Sequence, residues 1–358
     1  MPHFNARVHV LDRSRRASAG LAAAAAPDLS SGGRRCTRDQ PVDYRFEGET
    51  VALLFYSQDD DPHAWGAALR ALLPELDLRI WPEIGDRREI EAALVWLPPP
   101  GLFASLPGLR AIFSLGAGVD AMLGQEHLPD VPLCRLVDPS LTRTMAEFVL
   151  AQVLYYHRDL DLYAAQQQAA RWRLRLPQAA ASRTVGVMGL GELGGAAARL
   201  LAGHGFEVLG WSRTKRTIDG VRTFAGSAGL APFLARSEML VCLLPLTAET
   251  EGLLDAALFA GLPAGAVLVH VGRGRQLVPA DLMAALDTGQ LRGAAIDVTP
   301  EEPLPADDPL WRHPGVRLTP HVASYAQPAT AAATVVENLL RLRRGEPLLA
   351  VVDRSRGY

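Results

Sequence analysis

The amino-acid sequence predicts an α/β protein with two doubly wound parallel sheets and a cleft between them. The chain has 358 residues, and at about 150 residues per domain this length favours two domains. From Glu49 onward, short apolar runs alternate with longer amphipathic segments. Strands separated by crossovers of this length pair in parallel with right-handed connections. A glycine-rich turn also leads from one apolar run straight into a helical segment, which is typical of such a sheet.

The first series of elements follows Glu49. Strands are predicted over residues 51–56, 79–81, 94–97 and 111–115, and a helix over residues 63–73. A rigid Pro-Pro-Pro-Gly break at residues 98–101 ends the third strand. A long helix is predicted to begin at Thr144, because Thr144 and Glu147 form a capping box, and to continue to about Gln168.

The second series has six short apolar runs with helical segments between most of them. These strands are predicted over residues 184–188, 207–211, 239–243, 266–271, 294–297 and 316–318. A last helix is predicted over residues 329–340. The two series together give the two predicted sheets.

Composition excludes several classes of protein. Hydrophobic residues make up 49% and charged residues 21%, so the chain can bury a sizeable core. The net charge of −3 offers no general field for holding nucleic acid or an anionic membrane. No apolar run reaches the roughly 18 residues of a transmembrane helix. Three widely spaced cysteines fit a reducing, cytoplasmic location and indicate neither a disulfide framework nor a metal site.

Residues 1–48 are predicted to form a disordered N-terminal extension, because they show no apolar periodicity. Arg13, Arg15 and Arg16 precede an alanine-rich segment at residues 17–26, which has the outline of a signal peptide. The apolar part is too weak for a convincing one, and an organelle transit peptide has a similar Arg-rich and Ser-rich balance. Export and transit therefore stay open as alternatives.

A glycine motif follows the first strand of the second series. The pattern G-x-G-x-x-G lies between the strand at 184–188 and a helical segment at 196–201. Its first glycine allows the tight turn, the second lets the backbone approach a pyrophosphate, and the third lets helix and strand pack closely. The helix N-terminus adds amides and partial positive charge. The setting predicts a Rossmann-type dinucleotide site formed by Gly189, Leu190, Gly191, Glu192, Leu193 and Gly194.

The end of the next strand indicates which dinucleotide is bound. An NAD site carries an Asp or Glu about 20 residues past the glycine motif, where it accepts from the ribose hydroxyls. Here Ser212 stands in that place, followed by Arg213, Thr214, Lys215 and Arg216. These cations would bind a 2′-phosphate through charge-assisted hydrogen bonds. We therefore predict NADPH (NADP) as the preferred cofactor, with NADH possible and a solvated basic loop as the alternative.

Three motifs further along the chain carry a family resemblance. They are His-Val-Gly-Arg-Gly at 270–274, Asp-Val-Thr-Pro-Glu-Glu-Pro-Leu-Pro at 297–305 and Thr-Pro-His-Val-Ala at 319–323. With them, residues 49–358 resemble the D-isomer-specific 2-hydroxyacid dehydrogenases. Within that family the chain is most similar to the bacterial glyoxylate/hydroxypyruvate reductases of the A type. The narrower likeness rests on segments 115–120, 211–214, 309–311 and 352–358.

The resemblance implies NADPH-dependent reduction of small 2-keto acids by hydride transfer, from glyoxylate to glycolate and from hydroxypyruvate to D-glycerate. Arg273 would hold the substrate carboxylate and keto oxygen with its planar fork of donors. His321 would be the proton donor, and Glu302 would favour the imidazolium and fix the ring. All three follow strands, at the sheet edge where ligands bind in α/β proteins.

The resemblance also assigns other wall residues. Those lying along the cofactor or beside its nicotinamide are Leu244, Pro245, Thr247, Val271, Gly272 and Asp297, with Asp297 contacting the carboxamide. The alternative for these residues is ordinary turn chemistry at strand ends. The chain departs from the common family pattern at His270, Gly272 and Thr299, where Asn, Ala and Phe are usual. Those changes could loosen the nicotinamide-side wall.

The first series should supply the opposite wall of the cleft. Successive amides at Gly116, Ala117 and Gly118 can form a nest for the substrate carboxylate. The Trp96 indole would cap a small pocket, unless it is ordinary core. The resemblance implies that the last helix returns to this domain. Residues 49–142 plus 323–358 would then form the substrate-binding domain, and residues 143–322 would form the NAD(P)-binding Rossmann domain. The two domains would close over the substrate about a hinge. The resemblance also implies that two copies of the chain form a homodimer.

Two alternatives to this function stay open. The chain could be a dehydrogenase for another D-2-hydroxy acid, since pocket shape sets the choice of side chain. It could instead belong to a different class, because corepressors of the C-terminal-binding-protein type share the Arg, Glu and His set and bind the dinucleotide as a signal. Nothing in the sequence indicates a peptide-docking extension, and turnover of keto acids with NADPH would separate the two classes.

Overall fold

Two parallel β-sheets covered by helices make up the computed structural model, which describes residues 51–355 and 357. The predicted fold class, α/β with two doubly wound parallel sheets, is confirmed. The predicted extension at residues 1–48 lies outside the described residues. The predicted domain boundaries at 142–143 and 322–323 stay predictions.

The first sheet has five strands in the order β2-β1-β3-β4-β5, all parallel. The strands are β1 Ala52–Tyr56, β2 Asp77–Ile80, β3 Ile90–Val95, β4 Ala111–Ser114 and β5 Leu133–Cys134. The helices that follow β1 and β4 are α1 Pro62–Leu72 and α2 Asp120–Leu123. The last helix of the chain, Pro328–Arg344, packs beside α1 and contributes apolar side chains to this sheet's core.

The second sheet has seven strands in the order β12-β11-β10-β9-β6-β7-β8. The strands are β6 Thr184–Met188, β7 Glu207–Ser212, β8 Val221–Ala225, β9 Met239–Cys242, β10 Ala266–His270, β11 Leu291–Ile296 and β12 Val316–Leu318. The helices before and between these strands are α3 Pro139–His157, α4 Leu160–Gln168, α5 Glu192–Gly203, α6 Gly226–Leu234, α7 Ala256–Ala260 and α8 Pro279–Asp287. The last helix, which packs on the first sheet, is α9 Pro328–Arg344. Strand order reverses between β6 and β9, and ligands bind at the carboxyl ends of strands at such a point.

The central strands are short apolar runs because helices cover both faces of the sheet. Every residue of β9 and β10 is buried. Parallel strands buried on both faces carry no alternating polar positions. These were the strands whose limits the apolar runs predicted to within one residue.

The long helix was predicted wrongly at both ends. It begins at Pro139 rather than Thr144, because Asp138 accepts a hydrogen bond from the Leu141 amide and a proline fits the first helical position. The Thr144 hydroxyl instead donates to the Leu141 carbonyl within the helix. The helix ends at His157, and a left-handed residue, Asp159, precedes the separate helix α4.

The strand predicted at 94–97 lies earlier, at Ile90–Val95, because Leu97 has a left-handed backbone that ends the extended segment. Two strands were not predicted. The outer strand β8 is only partly buried, and Arg222 and Thr223 interrupt its apolar residues, so it does not form a continuous apolar run. The strand β5 has only two residues. Both lie at sheet edges, where pairing on one side suffices.

Residues 51–355 contain no helix long and apolar enough to cross a bilayer. The same residues hold no group of three or more acidic, histidine or cysteine side chains suited to a metal ion. Cys134 and Cys242 are buried free thiols. Burial raises the pKa of both thiols to about 12, so neither side chain is a thiolate near neutral pH.

Candidate active site

One continuous cleft of about 2010 Å³ runs past the carboxyl ends of strands from both sheets. Of the predicted site residues, all except Lys215 line it. The structure therefore brings the predicted cofactor, substrate and catalytic residues into one space. The volume exceeds the 300–1,000 Å³ of common ligand pockets and suits a dinucleotide together with a small acid.

The glycine turn between β6 and α5 has the shape that a pyrophosphate needs. Gly189 has a φ of +95°, which L side chains rarely adopt. A Cβ on Gly194 would overlap the Gly189 carbonyl, whereas a Cβ on Gly191 meets no described atom within 4 Å. No side chain in the described part of the chain caps the N-terminus of α5, so its first amides are available to a ligand. These residues fit a bound dinucleotide.

The end of β7 presents cations to the same space. Ser212 is buried, and its hydroxyl donates to the Thr214 carbonyl at 2.8 Å, which shapes the turn. Arg213, Thr214 and Arg216 line the cleft. Lys215 does not line it, so the structure places two of the three predicted cations in the cleft. Their contact with a 2′-phosphate stays a prediction.

Arg273 follows β10 and reaches across the cleft to the first sheet. Its Nε donates to Asp120 Oδ1 at 2.8 Å, and its Nη1 donates to the Gly272 carbonyl at 2.8 Å. A Cβ on Gly118 would overlap Nη2, so the guanidinium occupies the space beside that glycine. The ion pair with Asp120 connects the start of α2, in the first series of elements, to the loop after β10.

Trp96 and Gly116 are packed together on the first-sheet wall. A Cβ on Gly116 would overlap the Trp96 ring. The indole is partly buried, packs on the first-sheet core and also lines the cleft. The two interpretations of Trp96, core residue and pocket wall, therefore describe two faces of one side chain.

His321 and Glu302 form a hydrogen-bonded pair. His321 Nδ1 lies 2.8 Å from Glu302 Oε2, and the Thr299 amide donates to Glu302 Oε1 at 3.0 Å. Burial raises the pKa of Glu302, but the hydrogen bond and charge of His321 outweigh it, so the pKa lies below its ordinary value. A carboxylate can only accept, so Nδ1 carries a proton and Nε2 is the other exchanging atom of the ring.

Asp297 fixes the loop that carries His321. Its Oδ1 accepts from the Thr319 hydroxyl at 2.6 Å and from the Val322 amide at 3.0 Å, and its Oδ2 accepts from the Ala323 amide at 2.9 Å. His321 itself has a φ of 54°, in the left-handed region. Three hydrogen bonds to one buried carboxylate stabilise this backbone. Contact of Asp297 with a carboxamide stays a prediction.

Three residues had no predicted role: Asp120 and Tyr325 line the cleft, and Gln276 is buried beside residues that line it. Asp120 lies within the segment 115–120, but its partner Arg273 follows β10, more than 150 residues further along the chain. The Tyr325 hydroxyl donates to the Asp59 carbonyl at 3.0 Å and its ring lines the cleft. Gln276, which contacts Arg273 and the loop after β9, gave no sequence signal at all.

Comparison with known proteins agrees with this site. The family model described as D-isomer specific 2-hydroxyacid dehydrogenase, NAD binding domain, matches residues 150–323. The glyoxylate/hydroxypyruvate reductase A of Yersinia enterocolitica is 41% identical over 312 residues, which cover 86% of this chain and 99% of that protein. The chain belongs to the D-isomer specific 2-hydroxyacid dehydrogenase family. The reductase of the same name from Klebsiella pneumoniae is 42% identical over 315 residues.

Solved structures of this dehydrogenase family show the same fold. A D-isomer specific 2-hydroxyacid dehydrogenase from Xanthobacter autotrophicus, in complex with NADPH and MES, is 48% identical with a TM-score of 0.84, covering 87% of this chain and 100% of that one. The NADPH-dependent glyoxylate/hydroxypyruvate reductase of Sinorhizobium meliloti, in complex with NADP and sulfate, is 41% identical with a TM-score of 0.81 over the same shares. The resemblance predicted from the sequence motifs is confirmed.

Proposed function

We propose that this chain is an NADPH-dependent reductase that takes glyoxylate to glycolate and hydroxypyruvate to D-glycerate. The observation that carries the proposal is one cleft that holds Arg273, the His321–Glu302 pair and the uncapped glycine turn of α5. The relatives named glyoxylate/hydroxypyruvate reductase A support the substrate class. The related structures in complex with NADPH or NADP support the cofactor.

Arg273 anchors the keto acid in this proposal. Its Nε is held by Asp120 and one Nη1 proton by the Gly272 carbonyl, so donors on Nη1 and Nη2 are left for the substrate carboxylate and keto oxygen. Residues 116–118 line the same cleft. The Gly116 amide already donates to the Ser114 hydroxyl oxygen at 3.1 Å, so a carboxylate nest here would use the amides of Ala117 and Gly118. Asp120 fixes the guanidinium plane, which makes the arrangement of the remaining donors definite.

His321 supplies the proton. When bound, NADPH would supply the hydride for the keto carbon. The proton of His321 Nε2 goes to the keto oxygen, which completes the alcohol. Glu302 holds Nδ1 and thereby directs Nε2 into the cleft. Asp297 holds the backbone of the loop in which the ring sits.

Steady-state turnover with both cofactors tests the proposal. We expect the wild type to reduce glyoxylate and hydroxypyruvate with NADPH in preference to NADH and to reduce 2-keto acids with long side chains poorly. Combining Ser212→Asp with Arg213→Ala should reverse the cofactor preference, because a carboxylate repels a 2′-phosphate and accepts from ribose hydroxyls. Losing the Arg213 charge should cost about tenfold in NADPH affinity. Preference of the wild type for NADH, or no turnover, contradicts the proposal.

We also propose that residues 49–142 with 323–358 bind the substrate, that residues 143–322 bind the cofactor, and that the enzyme is a cytoplasmic homodimer. Trp172, Leu174 and Leu176 support the dimer, because they alternate with arginines and are 103%, 78% and 82% exposed. Apolar side chains this exposed are typical of a surface that another chain covers. Sedimentation of the wild type and of a Trp172→Ser, Leu174→Ser variant tests it: the variant should be monomeric.

A further inference from the structure

We infer that Gln276 is a positioning residue that links the cofactor loop, residues 244–247, to Arg273, so that cofactor and keto acid strengthen each other's binding. The inference rests on the proposed function, because it takes the cofactor loop and Arg273 as parts of the two binding sites. It concerns a side chain that touches neither ligand.

The amide of Gln276 is fully buried, and its hydrogen bonds lead in two directions. Its Oε1 accepts from the Arg273 backbone amide at 2.9 Å. Its Nε2 donates to the Leu244 carbonyl at 3.0 Å and to the Pro245 carbonyl at 2.9 Å. Both amide protons are used, and the Cys242 thiol points at Oε1 from 3.7 Å. The side chain therefore joins the loop after β9 to the loop after β10.

The Arg273 backbone is held from its other side by His270. His270 Nε2 lies 3.0 Å from the Arg273 carbonyl oxygen, which can only accept, so Nε2 carries the proton. Burial lowers the pKa of His270 to about 4, so the ring stays neutral at physiological pH. The Arg273 amide donates to Gln276 and the Arg273 carbonyl accepts from His270. The Arg273 backbone can therefore move only when these hydrogen bonds change.

The surroundings of Gly272 show that the side-chain amide of Gln276 has a fixed position. A methyl group on this residue would overlap Gln276 Oε1 and would lie 3.2 Å from the Leu244 carbonyl oxygen. The backbone of Gly272 is outside the left-handed region, so its conformation does not require glycine. The position of the Gln276 amide is what excludes a side chain here.

These contacts give the linkage a physical basis. A buried amide that loses a hydrogen-bond partner has no water to replace it, so breaking any one of these bonds is unfavourable. A cofactor that orders the loop at 244–247 therefore also orders Gln276 and, through it, Arg273. The keto acid then binds to an Arg273 whose conformation is already fixed. Because the cost of ordering has been met by the cofactor, the two ligands bind with positive cooperativity.

Calorimetric titration of NADP⁺ and of oxalate, an unreactive stand-in for the keto acid, measures this linkage. We expect each ligand to tighten binding of the other by about fivefold or more in the wild type. Gln276→Met keeps the side-chain volume but loses the hydrogen bonds. The factor by which each ligand tightens binding of the other should therefore fall to about one. Gln290→Met is the matched control, since Gln290 Nε2 also donates to two carbonyls, of Phe259 and Leu262, at the opposite end of the strands. That control should keep the wild-type factor.

Gly272→Ala provides a second variant in case Gln276→Met folds poorly. Alanine suits the backbone there and displaces the amide without removing it, so the mutual tightening should fall in this variant too. Wild-type tightening in both variants, or its absence from the wild type, overturns the inference and leaves the proposed function intact. A wild type that binds neither NADP⁺ nor oxalate contradicts the proposed function and the inference together.

Discussion

The two glycine turns that face each other across the cleft exclude side chains for different reasons. In the turn between β6 and α5, the atoms that leave no room at Gly194 are backbone atoms of Gly189, within the same motif. In the turn after β4, the excluding atoms are side chains from elsewhere in the chain. The Trp96 ring covers Gly116, and the Arg273 guanidinium covers Gly118.

This difference explains what each turn can tolerate. A backbone overlap can be relieved only by changing the turn itself, whereas the end of an arginine side chain can move at lower cost. The first turn is therefore a rigid cradle, and the second is a surface shaped by the residues that contact it. Five substitutions at four positions test this distinction.

Removing the side chain that covers Gly118 should have the largest effect. Arg273→Ala should lower kcat/KM for glyoxylate by about 10²–10⁴-fold, since two hydrogen bonds to a charged group are worth about 1.5–3 kcal/mol each. Arg273→Lys should lose about tenfold less, because it keeps the charge but loses the paired geometry. Steady-state kinetics at saturating NADPH measure both. Equal activity of the two variants would argue against a bidentate role.

Gly194→Ala should weaken NADPH binding by about a hundredfold. The added methyl overlaps the Gly189 carbonyl, and overpacking of this kind costs about 1–3 kcal/mol, the upper end of which is a hundredfold in Kd. Quenching of tryptophan fluorescence on titration with NADPH gives the Kd. An unchanged Kd would show that the turn adjusts and would remove the distinction between the two turns.

Gly118→Ala should affect the substrate and spare the cofactor. Arg273 Nη2 must move aside, so we expect KM for glyoxylate to rise by about tenfold, corresponding to about 1.4 kcal/mol. The Kd for NADPH should stay within about twofold of the wild type. A comparable loss of cofactor affinity would indicate that the second turn is as rigid as the first.

Gly203→Ala should have the smallest effect, and in the opposite direction. Gly203 is an exposed residue of α5, and an added Cβ meets no described atom within 4 Å. Alanine is favoured over glycine in a helix by about 0.5–1 kcal/mol, and the terminal position favours the lower value. Urea denaturation should show that increase in the free energy of unfolding, with kcat/KM unchanged. A decrease would mean that this glycine is needed for a reason the structure does not show.

The same contrast decides what could be predicted from sequence. The strands around the glycine motif and its role followed from local patterns, because turn, helix start and buried strand all depend on neighbouring residues. The start of α3 at Pro139 also depends on neighbouring residues, Asp138 and Pro139, although the capping box of Thr144 and Glu147 predicts a later start. Asp120 and Gln276 depend on partners that only the folded chain provides. No pattern in one sequence identifies such partners.

In the homodimer proposed above, covering the exposed side chains of Trp172, Leu174 and Leu176 would make stability depend on the protein concentration. A second copy that covers these side chains binds only the folded chain, so association draws the folding equilibrium toward the native state. Each tenfold rise in protein concentration then adds about 1.4 kcal/mol to the free energy of dissociating and unfolding the dimer. The melting temperature of the enzyme should accordingly rise with concentration, and dilute assay solutions should inactivate on standing faster than concentrated stocks.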